Sequence, residues 1–334
     1  MKRLYVDSEE LTCWDNLLLA MWKAAKGKRS RPDIREFVAD YENRLGNLQA
    51  QIRNLQLPVD DYRCFRIHDP KPRNIVAVGF GMRVVHHAIM NRIGDSLERS
   101  QIHNSFACLP KRGVHAAVHR VQRGLRRAEW YVKIDIDKYF DNIDHHRLKE
   151  KLARRFKGNH FLSLLDLIID GYRSEPEKGL PIGSLTSQYF ANFYLERFDR
   201  FIEQLPTTKG YVRYMDDMIW FCDNKISAKE TLDQAIYYLQ DEGLKVKVHP
   251  QIQLCRQGVG YCGFRIGQQQ IRLTRRKKRA YRRHLLRWQG RWQRGEIHAL
   301  QLQRGYDAVH AITYPARSRG FRRSVLATTG TVEA

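Results

Sequence analysis

The chain has 334 residues and a formal charge of +23, from 59 Lys plus Arg against 36 Asp plus Glu. That length exceeds one ordinary compact domain and fits two or three packed subdomains, while 43% hydrophobic and 11% aromatic residues exclude wholesale disorder. No apolar run of about 18 residues occurs, which argues against a membrane span; the opening Met1-Lys2-Arg3-Leu4-Tyr5-Val6-Asp7 lacks the apolar core of a secretory signal.

In chain order, residues 8–57 read as mostly helical, rich in Ala, Leu, Glu, Arg and Lys, with Pro32 near a helix start. Tyr62 to Ile67 reads as a strand. A loop, His68-Asp69-Pro70-Lys71-Pro72-Arg73, leads to the apolar run Ile75 to Val78. Residues 82–99 and much of 113–128 are helical in pattern. Trp130 to Ile136 is β-rich, a buried strand ending in a carboxylate. Residues 145–171 read as helix. Gly179 to Ser184 is a Gly/Pro loop opening onto a helix that runs to about Phe201. Tyr211 to Phe221 reads as two short strands joined at an acidic turn. A helix near 227–242 and a β region over 244–266 follow. The order predicts an α+β sheet with helices on one face.

The positive charge is uneven. Residues 265–334 hold 17 Lys plus Arg and 3 acidic residues, a net of +14 out of +23. Drawn as a helix, Arg275 to Arg294 places Tyr281, Leu285, Trp288 and Trp292 on one apolar stripe. Arg275, Arg276, Arg279, Arg282, Arg283 and Arg287 lie on the remainder. One face can pack while the other meets phosphates. A solvated surface or an anionic membrane is the rival reading, but the stripe is narrow and interrupted by Gly290. The six cysteines (13, 64, 108, 222, 255, 262) form no Cys-x-x-Cys pair. They read as reduced thiols of a cytosolic protein.

The residues that carry chemistry are acidic. Asp135 closes one hydrophobic strand, and Asp216-Asp217 sits between two others. Read alone, Asp216-Asp217 is an ordinary polar hairpin tip, since Asp is favoured in turns. Carboxylates are rarely buried unless paired or bound to metal. Three converging carboxylates repel one another without a cation, and hard oxygen donors suit Mg²⁺.

Taken in order, these segments resemble the reverse transcriptases of the bacterial, group-II-intron-like branch. Tyr214-Met215-Asp216-Asp217 resembles the polymerase box, and Asp135-Ile136-Asp137-Lys138-Tyr139-Phe140-Asp141 the upstream metal motif. The resemblance implies a right-hand polymerase fold of fingers, palm and thumb. It places N-terminal helices and fingers at 1–130, palm at 131–264 (with part of the fingers near 145–180), and a basic helical thumb and tail at 265–334. It implies that Asp135 and Asp216 are the main ligands of two Mg²⁺ ions, with Mn²⁺ a possible substitute, that Asp217 assists, and that the Ile136 carbonyl completes one ion. Phe140 falls at the steric gate against a ribose 2′-OH. Lys71 and Arg73 match the pair that grips the incoming triphosphate. Lys111 and Arg112 match template contacts, and Tyr261 and Gly263 the primer grip. The arginines of the basic helix then lie along the cDNA/RNA duplex. Lys247 and His249 are both possible acids for the pyrophosphate leaving group.

The loop Gly179-Leu180-Pro181-Ile182-Gly183-Ser184-Leu185-Thr186-Ser187-Gln188 departs from most relatives. Ile182 stands where they carry Gln, and Gln188 where they carry Pro. Ile offers no hydrogen bond in the pocket. This pattern resembles the reverse transcriptases of diversity-generating retroelements. That family implies copying of a template-repeat RNA from dNTPs into cDNA, with errors at template adenines that diversify a target gene. It also implies a basic oligomeric accessory variability protein, no membrane, and the cytoplasm of a bacterial or phage-infected cell. Ile182, Gly183, Gln188 and Arg73 are then nucleotide-pocket candidates. The alternatives are another bacterial reverse transcriptase (retron, defence-associated or reduced group II intron type) and a catalytically silent RNA-binding protein of this fold.

Overall fold

The computed structural model describes residues 3–68 and 72–328. Contacts group the chain into two compact units, each stitched from three segments. The first holds residues 1–103, 136–201 and 236–247, and the second 104–135, 202–235 and 248–334.

The first unit is mainly helical. The expected N-terminal helical region divides into Ser8–Thr12, Trp14–Ala25, Pro32–Ala39 and Tyr41–Arg53. The Asp7 carboxylate accepts from the Glu9 N–H at the first helix start, and Pro32 opens the third, where its missing N–H goes unneeded. Trp14–Ala25 packs on the long helix Phe80–Ser100 through Leu17, Ala20 and Met21, with Val84, Val85, Ala88 and Ile89 buried on the other side. Leu185–Tyr194 packs against that same long helix. An antiparallel ribbon joins Tyr62–His68 to Pro72–Val78, in register from Tyr62↔Val78 to His68↔Pro72.

The helix expected over 145–171 is two helices, His145–Arg155 and Asn159–Asp170, broken by the short strand Phe156–Lys157. That strand pairs in parallel with Leu4–Tyr5. The break falls at Gly158, whose φ is +122° and where a Cβ would stand 2.8 Å from the Val6 carbonyl oxygen. Only glycine takes both constraints without strain.

The second unit is built on a four-stranded antiparallel sheet. Its strand order is Gly210–Tyr214, Asp217–Cys222, Trp130–Asp135, Gln251–Leu254. Helix Val114–Arg127 covers one face through Ala117, Val118, Val121 and Leu125, which pack with Tyr131, Val212, Ile219 and Phe221. The approach is close enough that a Cβ on Gly124 would meet the Phe221 ring. A second sheet, ordered Ile271–Leu273, Phe264–Ile266, Val259–Tyr261, adds Val259, Phe264 and Ile266 to the same core.

The basic helix spans Arg275–Gln293, started by Thr274, whose hydroxyl accepts from the Lys277 N–H. Most of the expected stripe packs: Tyr281 and Leu285 are fully buried with Trp288 beside them, while Trp292, one turn on, is half-buried outside that cluster. Two further helices, Ala299–Ala311 and Arg319–Thr328, supply Val309 and Val325 to that cluster. Arg275, Arg276, Arg279, Arg282, Arg283 and Arg287 are all exposed. No described helix is long and apolar enough to cross a membrane.

Candidate active site

At one end of the four-stranded sheet, strand register collects the acidic residues. Asp135 ends its strand as the cross-strand partner of Asp217, and Tyr214 pairs with Asp217 on the other side. Met215 and Asp216 therefore form a two-residue turn between the edge strand Gly210–Tyr214 and its neighbour Asp217–Cys222. Met215 has φ +58°, a left-handed conformation that this turn position usually gives to glycine.

The turn is braced from inside the protein. Arg213 is completely buried, and its Nη1 donates to the Met215 carbonyl at 3.3 Å. Its main chain exchanges bonds with the Asn104 carbonyl (2.9 Å) and the Phe106 N–H (3.0 Å). The pattern Tyr211-Val212-Arg213-Tyr214 gives no sequence signal that this arginine is internal.

Asp217 is the electrostatically extreme residue. Burial pushes its carboxyl up to about 7, against the opposing pull of Lys133, and the charges of Asp135 and Asp216 push the same way as burial. Lys133 Nζ stands 3.1 Å from Oδ1. The ammonium is at ion-pair distance, and among the described residues no other donor reaches that buried oxygen.

Carboxylate oxygens gathered at a sheet end, one of them buried with only the Lys133 ammonium beside it, match the hard-donor chemistry of Mg²⁺. Among the described residues, no three His, Cys, Asp or Glu side chains are set to hold an ion by themselves. Ile136, directly after Asp135, is buried and bridges to Val246.

The nucleotide-pocket candidates of the first unit are also joined by backbone bonds. Phe140 lies half-buried on a short 3₁₀ turn, Tyr139–Asn142, while its neighbour Tyr139 is core and donates to the Ala191 carbonyl at 2.5 Å. The Leu180 N–H donates to the Phe140 carbonyl (2.8 Å) and the Gly179 N–H to that of Ile143 (2.9 Å). The Val76 N–H donates to the Ile182 carbonyl at 3.1 Å. The loop is thus pinned to the Phe140 turn at one end and to the Pro72–Val78 strand at the other. Gly183 needs its φ of +118°, and a Cβ there would crowd Ile75 at 3.2 Å. The Ser184 hydroxyl meets Nδ1 of the buried His86 at 2.8 Å. Arg73 is placed by its pairing with Ile67; Lys71 lies outside the described residues.

A cleft of about 200 Å³ opens beside this loop, with Gly183 and Gln188 on its wall. Lys23, Lys26, Lys28 and Arg83 supply its cations, and His87 completes it. Burial lowers the pKa of both Lys28 and Arg83, and neighbouring cations lower both further. His87 is held near 4 by burial and then by Lys23, Lys28 and Arg83. Arg83 Nε is buried without a hydrogen-bond partner among the described residues, although its Nη2 lies 3.6 Å from Asp33. Such a cleft favours an anion. Sequence reading missed it because its residues come from three distant segments; the run Lys26-Gly27-Lys28-Arg29 was the only local hint.

The remaining candidates fall as follows. Lys111 is exposed with φ +58°, and Arg112 Nη1 donates to the Ser105 carbonyl at 2.8 Å. The Tyr261 ring is buried, and its hydroxyl donates to the Asp217 main-chain carbonyl at 2.9 Å. Tyr261 therefore supports the acidic hairpin from within. The turn at Gly263 is tied to the basic helix start by Thr274, whose hydroxyl donates to the Gly263 carbonyl at 2.8 Å. Lys247 and His249 are both exposed.

Comparison with known proteins gives these features a family. The model of the reverse transcriptase (RNA-dependent DNA polymerase) family matches residues 68–266. The group II intron-encoded protein LtrA of Lactococcus lactis subsp. cremoris is 32% identical over 102 residues, covering 29% of this chain and 17% of LtrA. An uncharacterized 91 kDa protein in the cob intron of Schizosaccharomyces pombe is 32% identical over 108 residues, 30% of this chain and 13% of that protein. The chain spans well under half the length of these curated relatives. Among solved structures, telomerase from Candida tropicalis, in complex with a fragment of telomeric RNA, superposes with a TM-score of 0.51 at 12% identity. It covers 82% of this chain and 55% of the telomerase chain, a likeness of fold alone. Reverse transcriptases generally use divalent metal ions. With the family match covering more than half its length, this chain belongs to the reverse transcriptases and has their right-hand polymerase fold.

Proposed function

We propose that the chain is an RNA-directed DNA polymerase that copies a template-repeat RNA into cDNA with errors concentrated at template adenines. The observation that carries polymerisation is the register: Asp135 opposite Asp217, with Asp216 at the adjoining turn. In the reaction, a primer 3′-OH attacks the α-phosphate of a dNTP, a new P–O bond forms, and pyrophosphate leaves. Two Mg²⁺ ions held by Asp135, Asp216, Asp217 and the Ile136 carbonyl would, when bound, activate the attacking oxygen and neutralise charge on the leaving group.

The chain's own residues divide the remaining work. The Phe140 ring excludes a ribose 2′-OH. Arg73 and Lys71 hold the triphosphate, Arg through paired hydrogen bonds and Lys as a point charge. Lys247 or His249 gives a proton to pyrophosphate. Gly263 meets the primer end while the buried Tyr261 acts from within by holding the Asp217 carbonyl, and Lys111 and Arg112 hold the template backbone. Arg275, Arg276, Arg279, Arg282, Arg283 and Arg287 lie along duplex phosphates. In this reading 1–130 carries N-terminal helices and fingers, 131–264 the palm with part of the fingers near 145–180, and 265–334 the thumb and tail, and the enzyme works in the cytoplasm of a bacterial or phage-infected cell with a basic accessory protein.

The error-prone part of the reading rests on Ile182 and Gln188. An aliphatic side chain in that loop makes no directional contact with the incoming nucleotide, so correct and incorrect pairs differ less in the transition state. The intron-encoded relatives favour a second reading, a faithful reverse transcriptase of group II intron type.

Primer extension on RNA with Mg²⁺ and dNTPs tests the first claim. Wild type should extend, and Asp216→Asn should lose about 10³-fold in rate; equal extension by both rejects it. Sequencing the cDNA tests the second. Errors at template adenines should exceed those at other bases, and an even spectrum selects the faithful enzyme.

A further inference from the structure

Lys133 precedes Asp135 by two residues on the same strand, so strand alternation puts both side chains on one face. Asp217 is the cross-strand partner of Asp135, and Ile219 that of Lys133. Lys133 and Asp217 are therefore diagonal neighbours on that face, within reach of a long side chain. The 3.1 Å approach of Nζ to Oδ1 joins two mostly buried side chains, 17% and 22% exposed. The same ammonium lies 5.7 Å from the centre of the Tyr261 ring, whose hydroxyl holds the Asp217 main-chain carbonyl. Asp217 is thus gripped at side chain and backbone by two contacting residues, of which Lys133 has no part in the chemistry described above. A lysine drawn this far out of water loses hydration that only an opposing charge makes good.

We propose that Lys133 is a positioning residue: a built-in cation that neutralises Asp217 at the sheet end and competes with divalent ions for its Oδ1. Asp135 and Asp216 are left as the principal oxygen donors. The inference rests on the metal-binding part of the function proposed above. Among the described residues no other donor holds Oδ1, so an arriving dication has only the lysine to displace from that oxygen. Before an ion arrives, the lysine limits repulsion among three carboxylates; afterwards, it keeps the site from holding the ion too tightly.

The test uses the full chain without nucleic acid or dNTP, with Mn²⁺ as the probe and electron paramagnetic resonance reading the unbound ion. Lys133→Met removes a positive charge from beside the site, so Mn²⁺ should bind about tenfold more tightly. Its melting temperature without metal should fall below wild type, and the gap should close in excess Mn²⁺. Lys133→Arg, which keeps the charge, should stay within about twofold of wild-type affinity. In an Asp217→Asn background no Oδ1 is left to compete for and only the lysine's direct repulsion of the ion is relieved, so Lys133→Met should raise affinity by less than it does in wild type. Unchanged or weaker Mn²⁺ binding by folded Lys133→Met overturns the inference, as does an equal gain in the Asp217→Asn background. If the Met variant does not fold, Lys133→Gln is measured by the same criteria. A wild-type Mn²⁺ affinity that survives Asp216→Asn overturns the metal reading and this inference together, whereas failure confined to Lys133 leaves that reading standing.

Discussion

The sheet end of the second unit and the cleft of the first are both charged, but they are assembled in different ways. At the sheet end, three carboxylates come from two short pieces of chain, and their spacing is set by strand register. At the cleft, the cations come from the end of one helix, the start of another and the stretch beyond Ala25. The carboxylates are backed by buried side chains, Arg213 and Tyr261, bonded to the main chain of the hairpin. Lys26 and Lys28 sit on exposed chain with long arms. Bond-making chemistry tolerates errors of a fraction of an ångström, so its groups belong on a rigid, supported lattice. Holding a polyanion needs charge at roughly the right place, which a flexible ammonium supplies.

The sharpest way to break this contrast is to remove the support and keep the carboxylates. Arg213→Met retains bulk in a fully buried site but leaves the Met215 carbonyl without its guanidinium donor. The expected loss is about 3 kcal/mol of unfolding free energy, read from urea denaturation followed by circular dichroism. Extension should fall further than the folded fraction does, because the left-handed Met215 turn loses its brace. A variant within about 0.5 kcal/mol of wild type with full extension would mean that register alone places the acidic turn.

Much of the sheet end was legible because each of its parts is contiguous. Trp130 to Asp135 reads as a strand from its apolar run, and Tyr214 to Asp217 as a hairpin tip from the two β-rich runs around it. Their mutual register does not follow from either run; the family resemblance implied only that their carboxylates share metal ions, and the pairing Asp135↔Asp217 comes from the structure. Arg213 was illegible for a physical reason. Alternation marks it as facing the same way as Tyr211, and nothing local says that the Asn104–Phe106 segment pairs over that strand edge. The break at Gly158 was missed because apolar residues continue on both sides, and only the nearby Val6 carbonyl makes glycine necessary. Helix Arg319–Thr328 escaped notice because one residue, Val325, is its whole fully buried contribution, too few to make a stripe. The cleft shows the same limit at longer range, its lysines and Arg83 being separated by more than 50 positions in the chain.

A second, smaller effect sharpens the comparison by asking how the loop beside the cleft is held. His86 is fully buried, its pKa is lowered to about 4 by burial and then by His87, and its Nδ1 meets the Ser184 hydroxyl. The folded state keeps this imidazole neutral, while the unfolded chain protonates it near its ordinary value of about 6.5. Between those two values the unfolded state binds more protons, so stability falls as pH falls through that window and is unaffected above it. The contribution of His86 is about 2 kcal/mol lost between about pH 7 and pH 5, and half-buried His87 adds a smaller loss of the same sign. His86→Gln, neutral at both pH values, should flatten this limb of the urea midpoint profile. An unaltered slope would assign the acid sensitivity elsewhere.

The smallest expected effect separates the two regions most cleanly. If the cleft holds strand phosphates, Lys28→Gln and Arg83→Gln should each weaken binding of a short single-stranded RNA by about three- to tenfold, measured by fluorescence anisotropy in EDTA. Each should also reduce the slope of log affinity against log salt by about 0.7, the value for one phosphate contact on a single strand. Asp216→Asn in the same assay should leave both quantities unchanged, because with chelator present the carboxylates neither hold ions nor attract the RNA. Loss of triphosphate binding with RNA affinity intact would reassign the cleft to the nucleotide, in keeping with Gly183 and Gln188 on its wall. Of the two substitutions Arg83→Gln should cost more, since its half-buried guanidinium, with Nε lacking a hydrogen-bond partner among the described residues, has given up hydration that an arriving phosphate oxygen would restore.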